Sequence, residues 1–175
     1  PTAEPAYGMD LTWVYSRVDK NGNGKVDLED KVYLYGGMRM GGNNYYALDV
    51  TSLTSPKLLF AIQGGSAEYA NLGQTWSQPV VANIKVQNKK RTVLVFGGGY
   101  DPKHENATLS LPFAGNDKGN SIYIVDATTG QLLWFASGNT SENSYTKNTQ
   151  VSSMKFSVAA SPTVIDKDSD TIADT

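Results

Sequence analysis

The sequence predicts an all-β protein: a fragment of a β-propeller, with about two four-stranded blades and the first strand of a third. Three observations predict it. Four kinds of short apolar segment return in the same order along the chain. Tyr (10) and Gly (17) are abundant, and runs of Val, Ile and Thr suit pleated sheet and tight turns. No stretch of about ten residues carries a helical period.

The elements follow in order. A first strand ends in a polar turn, in LTWVYSRVDKN (11–21). A second runs into glycines, KVYLYGG (31–37), and a third closes on Asp, NYYALDVTS (44–52). A fourth short apolar strand, KLLFAIQ (57–63), completes the unit. The same four kinds recur as PVVANIKVQNK (79–89), TVLVFGGG (92–99), SIYIVDATTG (121–130) and QLLWFAS (131–137). SPTVIDKDSD (161–170) then restarts the series. Four-stranded units in series are the mark of a propeller, with blades of ~40–50 residues when loops are short. The loops 64–77, 100–120 and 138–157 add length and are rich in Gly, Ser, Asn and Thr. A β-sandwich is the rival, and the ordered return of all four strand kinds disfavours it. A propeller closes with at least ~4 blades. Residues 1–175 are therefore expected to be one partial domain, cut at both ends: the chain lacks a starting Met and stops within a loop.

Composition excludes several functions. Charged residues are 18% of the chain and the net charge is −2, so no basic surface is expected for a nucleic acid. No cysteine is present, which removes disulfides and thiolate metal sites. No apolar run approaches the length that crosses a membrane, so no membrane insertion is expected from this segment. His104 is the sole histidine, so a site built on several histidines would need completion from outside; a loop histidine reads as bland. Tyr45, Tyr46 and Trp13 read as blade packing. The glycine clusters at 36–42 and 97–99 read as tight turns after the second strand, since neither meets the context of a nucleotide loop. The sequons at Asn106 and Asn139 and the polar run 138–153 carry no mechanism.

Two acidic loops carry the chemistry. In residues 19–30, oxygen side chains fall at loop positions 1, 3, 5 and 9 as Asp19, Asn21, Asn23 and Asp27. Gly24 holds position 6, and the Lys25 carbonyl is the expected ligand at position 7. Position 8 is Val26, and position 12 is Asp30 in place of the longer Glu. Calcium is a hard cation that takes 6–8 oxygens at ~2.3–2.6 Å, and a tightly wound loop turns alternate side chains inward to supply them. In residues 166–174 the same positions are Asp166, Asp168, Asp170 and Asp174, with the Ile172 carbonyl at position 7. Position 6 is Thr171, which is costly if its φ must be positive. Polar turns alone would favour Asp, Asn and Gly. Register argues for more. Both loops start at the residue closing a first-type strand, whereas the equivalent turn of the middle unit, read at Asn83, has Lys85, Lys89, Lys90 and Arg91 and no carboxylate. Four clustered carboxylates repel one another, so the cation-free 166–174 loop is expected to be disordered.

The stretch from Gly36 to Thr51, with Gly37, Arg39, Gly41 and the run Tyr45-Tyr46-Ala47-Leu48-Asp49, resembles a signature of the PilC/PilY family of type IV pilus tip-associated proteins. Trp76-Ser77-Gln78-Pro79-Val80, the segment 93–101 and the terminal acidic loop add to the resemblance. It implies a modified propeller with calcium in loops of this kind, carried over here onto Asp166, Asp168, Asp170, Ile172 and Asp174. The 19–30 loop resembles an additional calcium loop of some members. The resemblance further implies a surface, pilus-tip or outer-membrane location outside a Gram-negative cell. Pilus assembly, host-cell adhesion and twitching motility would be the processes served. Minor pilins are the implied partners, and a host-cell receptor is a further one. No catalysis is expected. The alternative is a pyrroloquinoline-quinone dehydrogenase propeller, because Asp126-Ala127-Thr128-Thr129-Gly130 followed by Trp134 resembles the tryptophan-docking repeat of those quinoproteins. That match describes a blade and not a catalyst.

Overall fold

A computed structural model describes residues 6–25, 27, 29–105, 117–138 and 148–174. Val26, Leu28, both sequons and most of the polar 138–153 run lie outside the described residues.

Two antiparallel four-stranded meanders form, as the repeat predicts. The first sheet orders β1 (Val14–Val18), β2 (Lys31–Gly37), β3 (Asn44–Asp49) and β4 (Lys57–Gln63) side by side. The second orders β5 (Val80–Val86), β6 (Lys89–Gly97), β7 (Ser121–Asp126) and β8 (Leu132–Ser137), and adds β9 (Asn148–Gln150) parallel to β8. β9 has no signal in the sequence, because its three polar residues carry no alternating pattern. The repeat extends to detail. The third strand shifts register between Ala47 and Leu48 in one sheet and between Ile124 and Val125 in the other. Each bulge precedes an Asp that caps the following turn: Asp49 Oδ1 accepts the Thr51 N–H at 2.9 Å, and Asp126 Oδ1 accepts the Thr128 N–H at 3.0 Å.

Three readings change. Residues 161–165 form no ladder among the described residues: Ile165 accepts one backbone bond, from the Asp174 N–H of its own loop, and a strand needs a row of such bonds to a partner. Asn83 lies inside β5 opposite Thr92, since the strand runs on to Val86 and turns at Gln87 and Asn88, with φ +51° and +61°. Gly36, Gly37 and Gly97 are strand residues and not turn residues. A Cβ at Gly36 would stand 2.6 Å from the Trp13 ring, and one at Gly97 would stand 2.2 Å from the Val158 carbonyl, so these glycines permit close approach.

The core lies between the sheets. Leu11, Tyr35, Tyr45, Ala47 and Ile62 meet Leu94, Phe96, Tyr123, Val125, Leu132 and Phe135, all buried. The Tyr45 and Phe96 rings are 4.5 Å apart. Buried phenols need acceptors, and two bind across the gap: Tyr35 donates to the Ala127 carbonyl at 2.9 Å and Tyr69 to the Gly130 carbonyl at 3.1 Å. Tyr45 donates to the Ser77 carbonyl at 2.6 Å. This packing fixes the two sheets against each other and so holds the loops at their ends.

Candidate metal centre

The 19–30 loop joins β1 to β2, and the 166–174 loop follows residues 161–165. Their hydrogen bonds match position by position. The side chain at position 1 accepts the N–H of position 6: Asp19 from Gly24 and Asp166 from Thr171, both at 2.8 Å. Position 3 accepts from position 5, as Asn21 from Asn23 and Asp168 from Asp170, both at 3.1 Å. Position 5 accepts from position 7, as Asn23 from Lys25 and Asp170 from Ile172, both at 2.7 Å. The backbone repeats too. Positions 4 and 6 are left-handed in both loops: Gly22 at +70° and Gly24 at +74°, Ser169 at +63° and Thr171 at +71°. The sequence flagged Thr171 and missed Ser169.

A β-branched residue in that conformation needs outside support. The β5–β6 hairpin provides it. Lys90 Nζ donates to Thr171 Oγ1 at 2.7 Å, and Asn83 Nδ2 donates to the Thr171 carbonyl at 3.1 Å. The Asn83 carbonyl accepts the Ala173 N–H at 2.7 Å. The Asp174 N–H returns to the Ile165 carbonyl at 3.0 Å and closes the loop. Ligand oxygens of Asp166, Asp168 and Asp174 then lie within 4.8 Å of one another, and all three residues are exposed. Asp170 is in the loop but outside that trio, with one oxygen on the Ile172 N–H. The donor set is oxygen only, which fits a hard divalent cation such as calcium.

The 19–30 loop closes on itself differently. Asn21 and Asn23 donate their side-chain amides to Asp27 Oδ2 at 2.8 and 2.7 Å. These bonds hold the Asp27 carboxyl below its usual value, Asn21 contributing most. The Asp19 carboxyl is also held low, first by the Gly24 N–H and further by Gly22 and the Arg17 charge. Arg17 is the residue that sequence reasoning missed. Its guanidinium donates to the Gly24 carbonyl at 3.2 Å and to the Lys25 carbonyl, the expected ligand at position 7. It pairs with Asp19 at 3.4 Å and with Asp30 at 2.9 Å. Asp30, at 1% exposure, also accepts from the Asp27 N–H at 3.3 Å. The guanidinium thus engages positions 1, 7 and 12. A signal existed: two residues ahead of the loop stands Arg17, and at the same place ahead of Asp166 stands Val164.

The motif residues outside the loops are structural in this setting. Arg39 lies 4.3 Å over the Trp76 ring and pairs with Asp10 at 3.2 Å. Trp134 donates its indole N–H to Thr149 Oγ1 at 3.1 Å, tying β8 to β9.

No protein-family profile matches the chain, and no curated protein matches it. Among solved structures, the crystal structure of the Pseudomonas aeruginosa PilY1 C-terminal domain is similar, with a TM-score of 0.58 and 23% identity. The match covers 93% of this chain and 26% of that one, so the chain spans about a quarter of its structural neighbour. The chain has the all-β fold of part of the PilY1 C-terminal domain.

Proposed function

We propose that this chain is a calcium-binding portion of the β-propeller of a type IV pilus-associated protein, displayed on the bacterial surface. The carrying observation is the convergence of Asp166, Asp168 and Asp174, held by the β5–β6 hairpin of a fold shared with the PilY1 C-terminal domain. Asp166, Asp168, Asp170 and Asp174 and the Ile172 carbonyl would hold the ion. Its two positive charges would offset half the charge of four carboxylates and fix the shape of an exposed loop. Loops of this kind, outside the cytosol, bind calcium with Kd in the range ~10⁻⁶–10⁻³ M. The module binds and does not catalyse. Its ordered surface would serve pilus components, minor pilins first, and through them assembly, twitching motility and attachment to host cells.

The test uses Asp168→Ala with Asp170→Ala in the full protein, expressed in its own bacterium. The expected outcome is fewer surface pili and lost twitching at normal protein levels. Loss of calcium at this loop with wild-type piliation and motility would leave the ion a purely structural role and overturn the proposal.

A further inference from the structure

A second set of metal-ligating groups lies at the other end of the second sheet, where β6 hands over to β7. Asp101, His104 and Asp117 each offer one ligand atom, and the three atoms lie within 4.8 Å of one another. Local structure brings them together. Residues Pro102–Glu105 form a 3₁₀ turn, and the His104 N–H bonds the Asp101 carbonyl at 3.0 Å. Side chains three apart eclipse in such a turn, so Asp101 and His104 share a side. Asp117 comes from the irregular segment that leads into β7, next to Lys118, whose N–H binds Asp101 Oδ2 at 2.9 Å.

The surroundings are shaped for a cation. Asp101 is 3% exposed, yet its carboxylate meets only the N–H groups of Lys103 and Lys118 and makes no ion pair among the described residues. Each of its oxygens retains a lone pair after those bonds. Buried carboxylates are paired or coordinate metals. Ser157 sets the histidine. Its hydroxyl donates to the Lys118 carbonyl at 3.0 Å and lies 3.3 Å from His104 Nδ1. A hydroxyl has a single hydrogen, so toward the ring Ser157 accepts, and the imidazole proton resides on Nδ1. Nε2, shielded from solvent, then carries the lone pair. An N–H held by an outer partner while the other nitrogen faces the ion is the usual arrangement of a metal-bound histidine. Glycine backbones frame the cluster: a Cβ on Gly119 would stand 2.5 Å from the Gly99 carbonyl and 2.9 Å from Ser157 Oγ.

We propose that Asp101, His104 and Asp117 form a site for a divalent first-row transition ion, zinc being the representative, distinct from the oxygen-only calcium loops. One imidazole and two carboxylates are a borderline donor set that an ion of this class prefers and that calcium does not. Three protein ligands leave a fourth position for water. A tetrahedral ion at ~2.0–2.2 Å from its ligands holds them about 3.4 Å apart, so small side-chain rotations complete the set. The ion would pin the β6–β7 connection to the segment carrying Ser157.

The experiment titrates purified protein with Zn²⁺ by calorimetry, in excess calcium so that the acidic loops are filled. Co²⁺ in parallel gives a visible spectrum that reports nitrogen and oxygen ligation. One equivalent of Zn²⁺ is expected at micromolar or tighter affinity. His104→Gln should abolish it, and Ser157→Ala should weaken it by about 10–100-fold. Asp168→Ala with Asp170→Ala should leave Zn²⁺ binding unchanged. Melting curves without metal show whether each variant folds, and Asp117→Asn gives the same readout should His104→Gln fail to fold. The proposal is overturned if no Zn²⁺ binds, if binding survives both His104→Gln and Asp117→Asn, or if it is lost with the 166–174 carboxylates.

Discussion

The 19–30 and 166–174 loops share a backbone and a hydrogen-bond plan, and they differ two residues ahead of that plan. Arg17 reaches into the first loop and joins Asp19, Asp30 and the Gly24 and Lys25 carbonyls. Val164 stands at the same place before the second and has no charge to offer. The first loop therefore has its own counter-charge. The second presents three converging carboxylates to solvent, with Lys90 reaching only the Thr171 hydroxyl. Similar motifs thus become a turn with its own counter-charge and an open cluster of carboxylates. A neighbouring side chain makes the difference.

Removing the carboxylates tests the open loop most severely. Asp168→Ala with Asp170→Ala should eliminate calcium binding there, and calorimetry should show one class of site lost with the melting temperature in chelator unchanged. Retention of that class would move the main calcium site to the 19–30 loop and reverse the comparison.

Arg17→Ala probes the closed loop. Asp30 would be left buried without its partner, and breaking a buried pair costs about 3–5 kcal/mol. Arg17 is partly exposed, so about 2 kcal/mol, or a fall of roughly 4–8 °C in Tm, is the expected loss in chelator. Calcium should recover most of it in the variant, because the ion would take over the charge that Arg17 supplies. A fall that calcium leaves untouched would mean that this loop takes no cation.

Acid separates the loops more gently. The carboxyls of Asp19 and Asp27 are held below their usual value in the folded loop. Their stabilisation is present above the unfolded carboxylate value of ~3.9 and is lost as pH falls through the lower folded values. The protection factor of the Gly24 amide, bound to Asp19, should therefore hold at pH 5 and fall below about pH 4. Constant protection through that window would mean that these bonds do not order the loop.

Thr171→Gly should give the smallest effect. It relieves a left-handed β-branched residue of the kind that costs about 1 kcal/mol or more, and it gives up the Lys90 contact. Calcium affinity of the 166–174 loop should rise about two- to five-fold. A loss of affinity would show that the Lys90 bond outweighs the strain.

Sheet architecture was legible in the chain because strand periodicity and turn chemistry are local. Asp49 and Asp126 announced the ends of the third strands, and the structure found bulge and cap at the same places. Oxygen positions 1, 3, 5 and 9 were readable for a similar reason: they sit within one turn of chain. Asn83 was misread because the length of a hairpin depends on its turn, and Gln87-Asn88 lacks the glycine that usually marks a left-handed pair.

The sequence by itself determined the two four-stranded meanders, the repeat and the two oxygen-rich loops, since each depends on residues near one another in the chain. Only the tertiary structure decided which loop carries its own counter-charge, which hairpin supports Thr171, and that Asp101 and Asp117 meet His104. Those contacts join residues that sequence spacing does not relate, across 16 positions from Asp101 to Asp117 and 81 from Lys90 to Thr171. Charge and hydrogen bonding act through space at a few ångströms, so their partners become known when the sheets have packed.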